Sequence, residues 1–569
     1  MKLDIRELIK SARGDEPVDL LLVGGKLVNV ISGEIYSEDI AISNGYVVGF
    51  GKYPARKKID LHGCYICPGF IDGHVHIESS MVTIPEFARA VVPCGVTSVV
   101  TDAHEIANVL GIDGIRYMLE SSKFQPINVF FMLPSCVPAT KLETSGAKLT
   151  GFDLYPFLSE KWVVGLGEVM DYPGLVHAEE YLIDKIKITV GKRIDGHAPG
   201  LLGKDLSAYI ASGISSDHES TSISEAREKL RKGMYVMIRE GTSTRNLADL
   251  IPLVNKENYR YFIFVTDDRH PQDLIKEGSI NYLIKKSISL GLDPVCAIRI
   301  GTINTAEYFK LSRIGAVSPG YQADIVIVDD LKKFNIKMVF RKGELVAENG
   351  KFVGKKIKSQ VEVRGSINVK WLYQNDFQIP AKSKKAQVIE IVPEQIITKK
   401  KAVDVKIKNG FVQSDIKNDI LKLFVVERHR ASGNIGKGLV SGFGLKKGAI
   451  ASSVAHDSHN IICVGVDDKS IFNACVEIVK MGGGLCVVNG NSVLGRLPLP
   501  IGGLMSEKPL RQVNSSLKKL IAVSKKLGCK LSDPFMQLSF LALPVIPELK
   551  LTDKGLVDVK KFKIVSLFV

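Results

Sequence analysis

Four histidines and two carboxylates are the residues of this sequence whose types and spacing are best suited to chemistry. Each ends or follows a short apolar run; the six are His74, His76, Glu168, His197, His218 and Asp267. Residues two apart on a strand share a face, so His74 and His76 can bind one ion together. Imidazole nitrogens and carboxylate oxygens suit divalent ions of intermediate hardness. The set predicts a pair of adjacent divalent ions, whose mutual repulsion Glu168 would offset as a bridging ligand.

An H-x-E motif and a C-x-x-C motif near the first histidine pair are alternative metal-binding signals. A His-x-His pair alone is a weak signal, since two histidines on a sheet are commonly satisfied by hydrogen bonds. Zinc base deaminases combine H-x-E with a downstream P-C-x-x-C, and here His76-Ile77-Glu78 has no such partner. The C-x-x-C at Cys64–Cys67 precedes the pair in a strand-like run. It is interpreted as two buried small residues.

The elements that must position these residues alternate between strand-like and helix-like runs over residues 68–311. The strand-like runs include GFIDGHVHI, TSVVTDAH, WVVGLGEVM and YFIFVTDD, and helices are predicted at 84–92, 112–122, 179–189, 224–231 and 272–290. Eight such repeats predict a (β/α)8 TIM-like barrel, whose active site lies at the C-terminal ends of the strands. The six candidate ligands fall there. Asp268, next to Asp267, is expected to face the opposite side of its strand.

The segments on either side of the barrel do not share its regular alternation of strand-like and helix-like runs. Residues 1–67 and 312–360 contain short strands broken by turn signals such as Asn44-Gly45 and Asn349-Gly350. They predict one small β-sandwich domain, into which the barrel is inserted. Residues 361–569, which start with the strand-like run VEVRGSINV, predict a C-terminal α/β domain with helices at 470–481 and 512–527. The predicted fold class is therefore α/β.

Composition limits the partners. The chain has 569 residues, a net charge of +15, 45% hydrophobic and 24% charged residues, typical of a soluble globular protein. The lysines are dispersed without interleaved aromatic residues, so no nucleic-acid partner is expected. No apolar run reaches about 18 residues, so no membrane span is expected. Nine cysteines without framework spacing, and no signal peptide, predict a cytoplasmic protein.

The order of the six candidate ligands resembles that of the amidohydrolase superfamily, and DLHGCYICPGFIDGHVH is similar to its first-strand signature. Many members bridge their metals with a carboxylated lysine; this sequence has Glu168 instead, which argues against a hydantoinase-like assignment. Within the superfamily the resemblance is to the adenine deaminases. It is carried by HVHIESSM, TDAHEIANVLG, GLGEVMDYPGL, IDGHAPG, SSDHES, MIREGT and VTDDRHP and, in the last domain, by SVAHDSHNI and LPLPIGGLMS.

This resemblance implies hydrolytic deamination of adenine to hypoxanthine and ammonia at two divalent ions, manganese first and iron as the alternative. A metal-activated hydroxide would attack C6 of the purine. Asp267 would act as general base and then acid, with Glu168 as the catalytic bridge. His104 is the candidate proton donor to N1, or alternatively a residue that only orients a ligand. A homo-oligomer is expected.

Three further residues are candidates for substrate binding: Glu78, His456 and Asp457. The last two lie in AHDSHN, which forms either an internal hydrogen-bonded turn or a cover over the barrel mouth. A rival enzyme function is cleavage of a cyclic amide or an N-acyl bond. A rival without catalysis is a scaffold that keeps the barrel but not the activity.

Overall fold

A computed structural model describes residues 5–357, 361–393 and 395–569. Helix α1 (Ile5–Arg13) is followed by five strands: β1 (Leu20–Val28), β2 (Ile35–Ser43), β3 (Tyr46–Phe50), β4 (Lys58–Asp60) and β5 (Tyr65–Pro68). β1 pairs antiparallel with β2 and parallel with β4 and β5. The Asn44-Gly45 turn between β2 and β3 has φ of 52° and 80°. Positive φ at both central residues is what a two-residue hairpin turn requires.

The barrel follows. Its nine strands occupy eight positions around the ring, because β13 and β14 together fill one position. They are β6 (Phe70–His76), β7 (Val96–Asp102), β8 (Asn128–Leu133), β9 (Val163–Val169), β10 (Arg193–Gly196), β11 (Ser216–Asp217), β12 (Tyr235–Arg239), β13 (Phe262–Val265) and β14 (Asp267–Asp268). All pairings are parallel, in the orders β10-β9-β8-β7-β6-β14 and β11-β12-β13. β14 continues β13 after one residue and pairs with β6, which closes the ring. The predicted eight-stranded barrel is confirmed.

Thirteen α-helices accompany the barrel strands within the described residues. They are α2 (Ile84–Val91), α3 (His104–Leu110), α4 (Ile112–Ser121), α5 (Gly151–Leu154), α6 (Tyr172–Val176), α7 (Glu180–Ile188), α8 (Gly203–Ala211), α9 (Ile223–Arg231), α10 (Leu247–Leu250), α11 (Pro271–Lys276), α12 (Ile280–Ser289), α13 (Pro294–Ile300) and α14 (Ile303–Tyr308). The helix predicted at 272–290 is two helices, because Gly278 between them adopts a φ of 91°. A left-handed residue of this kind ends a helix.

Four strands after the barrel complete the first sheet: β15 (Ile325–Val328), β16 (Ile336–Arg341), β17 (Glu344–Glu348) and β18 (Lys351–Phe352). The nine strands form one sheet, in the order β18-β17-β16-β15-β5-β1-β2-β3, with β4 beside β1. Side chains from both ends of this sheet, such as Ile42 and Phe340, pack in a common core. The two sequence pieces thus form one small β domain around the inserted barrel. Its predicted end at residue 360 lies outside the described residues.

The C-terminal region is mostly sheet. Its strands are β19 (Lys385–Ile391), β20 (Thr398–Asp404), β21 (Lys406–Lys408), β22 (Phe411–Gln413), β23 (Leu421–Val426), β24 (Ile435–Ser441), β25 (Ala449–Ser452), β26 (Ile461–Gly465), β27 (Gly484–Asn489), β28 (Ser492–Pro498), β29 (Leu549–Thr552), β30 (Gly555–Asp558) and β31 (Lys563–Val565). Its helices are α15 (Asp468–Lys480), α16 (Leu510–Lys526) and α17 (Pro534–Ser539). Eight of the strands form one sheet in the order β20-β19-β24-β23-β26-β25-β27-β28.

The two faces of this eight-stranded sheet bury different helices, because successive side chains of a strand point to opposite sides. Phe424 and Val426 pack with Ile471 of α15, whereas Leu423 and Val425 belong to the core that contains Leu517 of α16.

The strand expected at VEVRGSINV does not form. Val361 and Val363 pack against the core there, so the alternation reflects one-sided burial. None of the helices among the described residues combines the length and the apolar composition needed to cross a membrane.

Candidate active site

The six predicted ligands converge at the C-terminal ends of the barrel strands. His74 and His76 end β6, Glu168 lies in β9, and Asp267 begins β14. His197 and His218 each directly follow a strand, β10 and β11. All six side chains are at least 88% buried, His197 being the most exposed at 12%. The barrel therefore collects in one place residues that span almost 200 positions of the sequence.

Glu168 lies between two pairs of histidines. Its Oε1 is 3.0 Å from His76 Nε2 and 3.7 Å from His74 Nε2. Its Oε2 is 2.8 Å from His197 Nδ1 and 3.4 Å from His218 Nε2. The two oxygens of one carboxylate thus face different imidazole pairs.

The donor set fits divalent metal ions. The Nε2 atoms of His74 and His76 are 3.2 Å apart, and Asp267 Oδ1 lies 3.6 and 3.1 Å from them. His76 Nδ1 is 3.1 Å from the Asp102 carbonyl, so a proton on Nδ1 leaves the Nε2 lone pair for a metal. The buried Glu168 Oε1 has no hydrogen-bond partner in the described residues. A shared cation would satisfy this cluster of buried acceptors.

Asp267 has an unusual backbone, with a φ of 54°. A non-glycine residue in the left-handed region is uncommon and is concentrated at functional sites. The turn also changes where the next residue points. Asp268 lines the same cavity as Asp267 and accepts a hydrogen bond from the Ser79 hydroxyl. The expectation that it faces the opposite side is therefore wrong, because strand alternation is interrupted at this residue.

Arg239 and Glu219 belong to the site but were absent from the sequence prediction. Arg239 ends β12, and its Nη1 is 2.8 Å from Asp267 Oδ2. Its guanidinium also forms a two-pronged ion pair with Glu219, with Nη2 2.9 Å from Oε2. Glu219 Oε1 is 3.4 Å from His218 Nε2. The motifs MIREGT and SSDHES contain both residues, but nothing in their spacing reveals the ion pair.

A buried lysine stabilises the two loops that contain His197 and His218. Lys229 Nζ donates to the Ala198 carbonyl at 2.9 Å and to the carboxylates of Asp217 and Glu225 at 2.9 and 2.7 Å. Asp217 also accepts from the Ala198 N–H at 2.9 Å. Ala198 follows His197, and Asp217 precedes His218. This network holds both histidines in place without contacting the donor atoms.

His104 lies between the metal-binding cluster and the C-terminal domain. It is the first residue of α3, and its Nδ1 is 3.4 Å from Glu168 Oε1. On the other side of the ring, Nε2 is 3.9 Å from Asp457 Oδ1 and 3.4 Å from Glu105 Oε1. The imidazole thus has a carboxylate near each of its ring nitrogens.

The C-terminal domain closes over the barrel mouth through Glu105. This carboxylate accepts from His456 Nδ1 at 2.7 Å and from His459 Nε2. His459 Nδ1 accepts from the Ala455 N–H at 3.1 Å, which leaves the ring proton on Nε2 for Glu105. Burial acts against the charged form of His456, but Glu105 and Asp268 together raise its pKa to about 9.

Both domains line one cavity around these groups. His456 and Asp457 contribute from the C-terminal domain, beside an apolar wall formed by Ile396, Phe540, Leu543 and Ile546. Barrel residues on the opposite side include Met170, Ser243 and Thr244. Glu78 does not line the cavity. It is buried under α3, where its Oε1 accepts from the Ile106 N–H at 3.2 Å.

The fold and the donor set define the class of protein: a metal-dependent hydrolase of the amidohydrolase type. The profile "Amidohydrolase family" matches residues 65–346 and "Adenine deaminase C-terminal domain" matches residues 395–563. Adenine deaminase 2 of Carboxydothermus hydrogenoformans is 52% identical over 99% of both chains, and the adenine deaminase of Methanothrix thermoacetophila is 50% identical over 99% of both. A β-aspartyl dipeptidase structure from Fervidobacterium islandicum matches 60% of this chain and 99% of its own at 18% identity, with a TM-score of 0.45. The chain belongs to the adenine deaminase family.

Proposed function

We propose that this protein hydrolyses adenine to hypoxanthine and ammonia, as a purine-salvage enzyme. The full-length relatives named as adenine deaminases support the substrate. The structural observation that carries the proposal is Glu168, whose two oxygens face different histidine pairs at 3.0 and 2.8 Å. One carboxylate in this position can serve two ions at once.

The proposed cofactor is a pair of divalent ions, manganese or alternatively iron. His74, His76 and Asp267 would hold one, His197 and His218 the other, with Glu168 between them. Bound there, such ions lower the pKa of a water molecule enough to supply a nucleophile at neutral pH. Neutral imidazole and ionised carboxylate are the ligand forms that such ions need.

Asp267 is the proposed general base and acid. Burial opposes its ionisation, but the Arg239 guanidinium and the two nearby histidines outweigh burial and hold its pKa well below the usual range. Arg239 contacts Oδ2, whereas Oδ1 faces His74 and His76. In the proposed mechanism Asp267 accepts the proton of the attacking water and returns it to the departing amine.

The proposed occupant of the cavity is a flat heterocycle with polar edges. Its face would pack against the apolar wall, as in other ligand pockets lined by hydrophobic side chains. His456 and Asp457 donate to and accept from ring nitrogens on its edge. His104, which lies between Glu168 and Asp457, supplies the proton to N1. Glu78 acts indirectly, by holding α3 through the Ile106 N–H.

The decisive experiment incubates purified protein, reconstituted with manganese, with adenine while hypoxanthine and ammonia are both measured. Equal amounts of the two products are expected. A cyclic amide and an N-acyl amino acid serve as comparison substrates. Turnover of these without turnover of adenine would refute the proposal in favour of another amidohydrolase activity. Stoichiometric metal content without turnover of any substrate would indicate a scaffold.

The location and the assembly of the protein are two further proposals. We infer a reducing, cytoplasmic location, because all nine cysteines are free thiols and six of them are buried, where oxidation would disturb the core. Cell fractionation with an antibody tests this location. We also propose a homo-oligomer, which light scattering at several protein concentrations tests directly.

A further inference from the structure

Lys550 is a buried lysine that the proposed chemistry does not use. It lies in β29, is fully buried, and has no carboxylate within ion-pairing distance among the described residues. Its Nζ donates instead to two backbone carbonyls, those of Ile396 at 2.8 Å and Phe540 at 2.9 Å. Burying an ammonium group without a counter-charge costs free energy that an apolar side chain of similar length would not cost.

Both acceptors belong to residues of the apolar wall. Ile396 lies in the loop before β20, and Phe540 begins the 3-10 turn Phe540–Ala542 that follows α17. These segments come from positions about 140 residues apart. Apart from Lys550, the Gln537 side chain joins them, donating to the Gln395 carbonyl at 2.9 Å. Lys550 therefore hydrogen-bonds both segments of the wall to the same strand, beside the bond from the Thr398 hydroxyl to the Leu549 carbonyl at 2.8 Å.

Phe540 connects this point to the catalytic cavity. Its ring stacks on the His456 imidazole, with centroids 4.6 Å apart and planes 13° from parallel. His456 in turn is hydrogen-bonded to Glu105 of the barrel. A displacement of the Phe540 backbone would therefore move both an apolar surface and a polar group of the cavity.

We propose that Lys550 is a positioning residue that sets the shape of the base-binding cavity by tethering Ile396 and Phe540. This inference rests on the proposed adenine deamination. Lys550 does not touch the substrate or the metal-binding residues. It acts on the binding of the flat ring, not on the proton transfers at Asp267, so its effect should fall on KM more than on kcat.

The test compares wild type with Lys550→Met, which keeps length and burial but removes both hydrogen bonds. KM for adenine should rise about tenfold, the effect of losing one to two net hydrogen bonds, with kcat changed by less than about threefold. The inhibition constant of hypoxanthine should rise in parallel, and metal content should stay at the wild-type level. Lys560→Met is the matched control, since Lys560 is an exposed lysine of the same region that pairs with Glu548.

An unchanged KM in folded Lys550→Met would overturn the inference while leaving the deaminase proposal intact. Absence of adenine turnover in the wild type would instead defeat the proposed function itself. Should Lys550→Met not fold, Lys550→Gln, which keeps one donor group, decides by the same criterion. A fall in kcat at constant KM in either variant would also contradict the positioning role.

Discussion

The Asp72 carboxylate accepts hydrogen bonds from both the backbone N–H and the hydroxyl of Thr266, at 3.1 and 2.5 Å. Asp72 precedes His74 by two residues, and Thr266 immediately precedes Asp267. The pair therefore joins the first and last strands of the barrel, beside the candidate ligands His74 and Asp267. Closure of the ring and assembly of the metal-binding cluster depend on the same contact.

Replacing Asp72 should damage stability and metal binding together. Asp72→Ala leaves two buried donors of Thr266 unsatisfied, at a cost of about 3 kcal/mol in the free energy of unfolding. Asp72→Asn still accepts from the N–H and should be milder. Thermal unfolding and elemental analysis of both variants check this. Equal losses for Ala and Asn would show that side-chain volume, not the hydrogen bonds, matters.

Asp267→Asn is expected to abolish turnover more completely than metal binding. Asn keeps the shape and one acceptor oxygen, so the four histidines and Glu168 retain affinity for the metal. It cannot accept the proton of the attacking water, and kcat should fall by about 10²–10⁴-fold. Asp249→Asn, at an exposed position of α10, is the control and should behave as wild type. Substantial turnover in metallated Asp267→Asn would reassign the general base.

Reconstituted protein should contain about two equivalents of divalent metal per chain, as a binuclear centre requires. Glu168→Gln removes the bridging charge between the two histidine pairs. It should reduce the bound metal to one equivalent or less. Elemental analysis after removal of free metal measures this. Two tightly bound ions in Glu168→Gln would contradict the bridging role.

The polar side chains that the C-terminal domain contributes to the cavity should be required for turnover but not for folding. His456→Ala and Asp457→Ala are expected to impair adenine turnover, because each removes a polar group from the cavity. Circular dichroism and metal content should match wild type. Wild-type kinetics in both variants would indicate that the AHDSHN segment is a structural turn without a role in substrate binding.

The stability of the protein should depend on pH through Lys550. Desolvation lowers the pKa of its amine from 10.5 to about 7. Between these values the unfolded state binds more protons than the folded state, so the free energy of unfolding rises as the pH rises from 7 to 10.5. The slope from this group is at most about 1.4 kcal/mol per pH unit. Lys550→Met should lack this contribution, which denaturant titrations of the two proteins at pH 7.5 and 9.5 will show.

The barrel and its ligand positions were predictable because their signals are local. Each strand is an apolar run, each helix follows it within a few residues, and the polar residue at the end of the run marks the mouth of the barrel. His74, Glu168 and Asp267 could each be found in this way. Since a (β/α)8 topology places all strand ends on one face, their proximity follows from the fold.

Other features of the site and the fold depend on contacts that no local sequence pattern predicts. The Arg239–Glu219 pair joins successive barrel loops, and Glu105 meets His456 across 351 residues. The orientation of Asp268 depends on the φ of a single neighbouring residue. The run VEVRGSINV alternates as a strand does, but a strand also needs a partner edge, and sequence alternation does not show whether one is present.

The separation of Glu105 from His456 has a consequence for the order of events during synthesis. At about 5–20 residues per second, a ribosome needs roughly 20–70 s to advance across the 351 residues between them. The barrel strands are complete long before His456, Phe540 or Lys550 has emerged. During that interval Glu105 has no imidazole partner and the mouth of the barrel is open to solvent. The candidate metal ligands of the barrel are therefore synthesised before the residues that would enclose a substrate beside them.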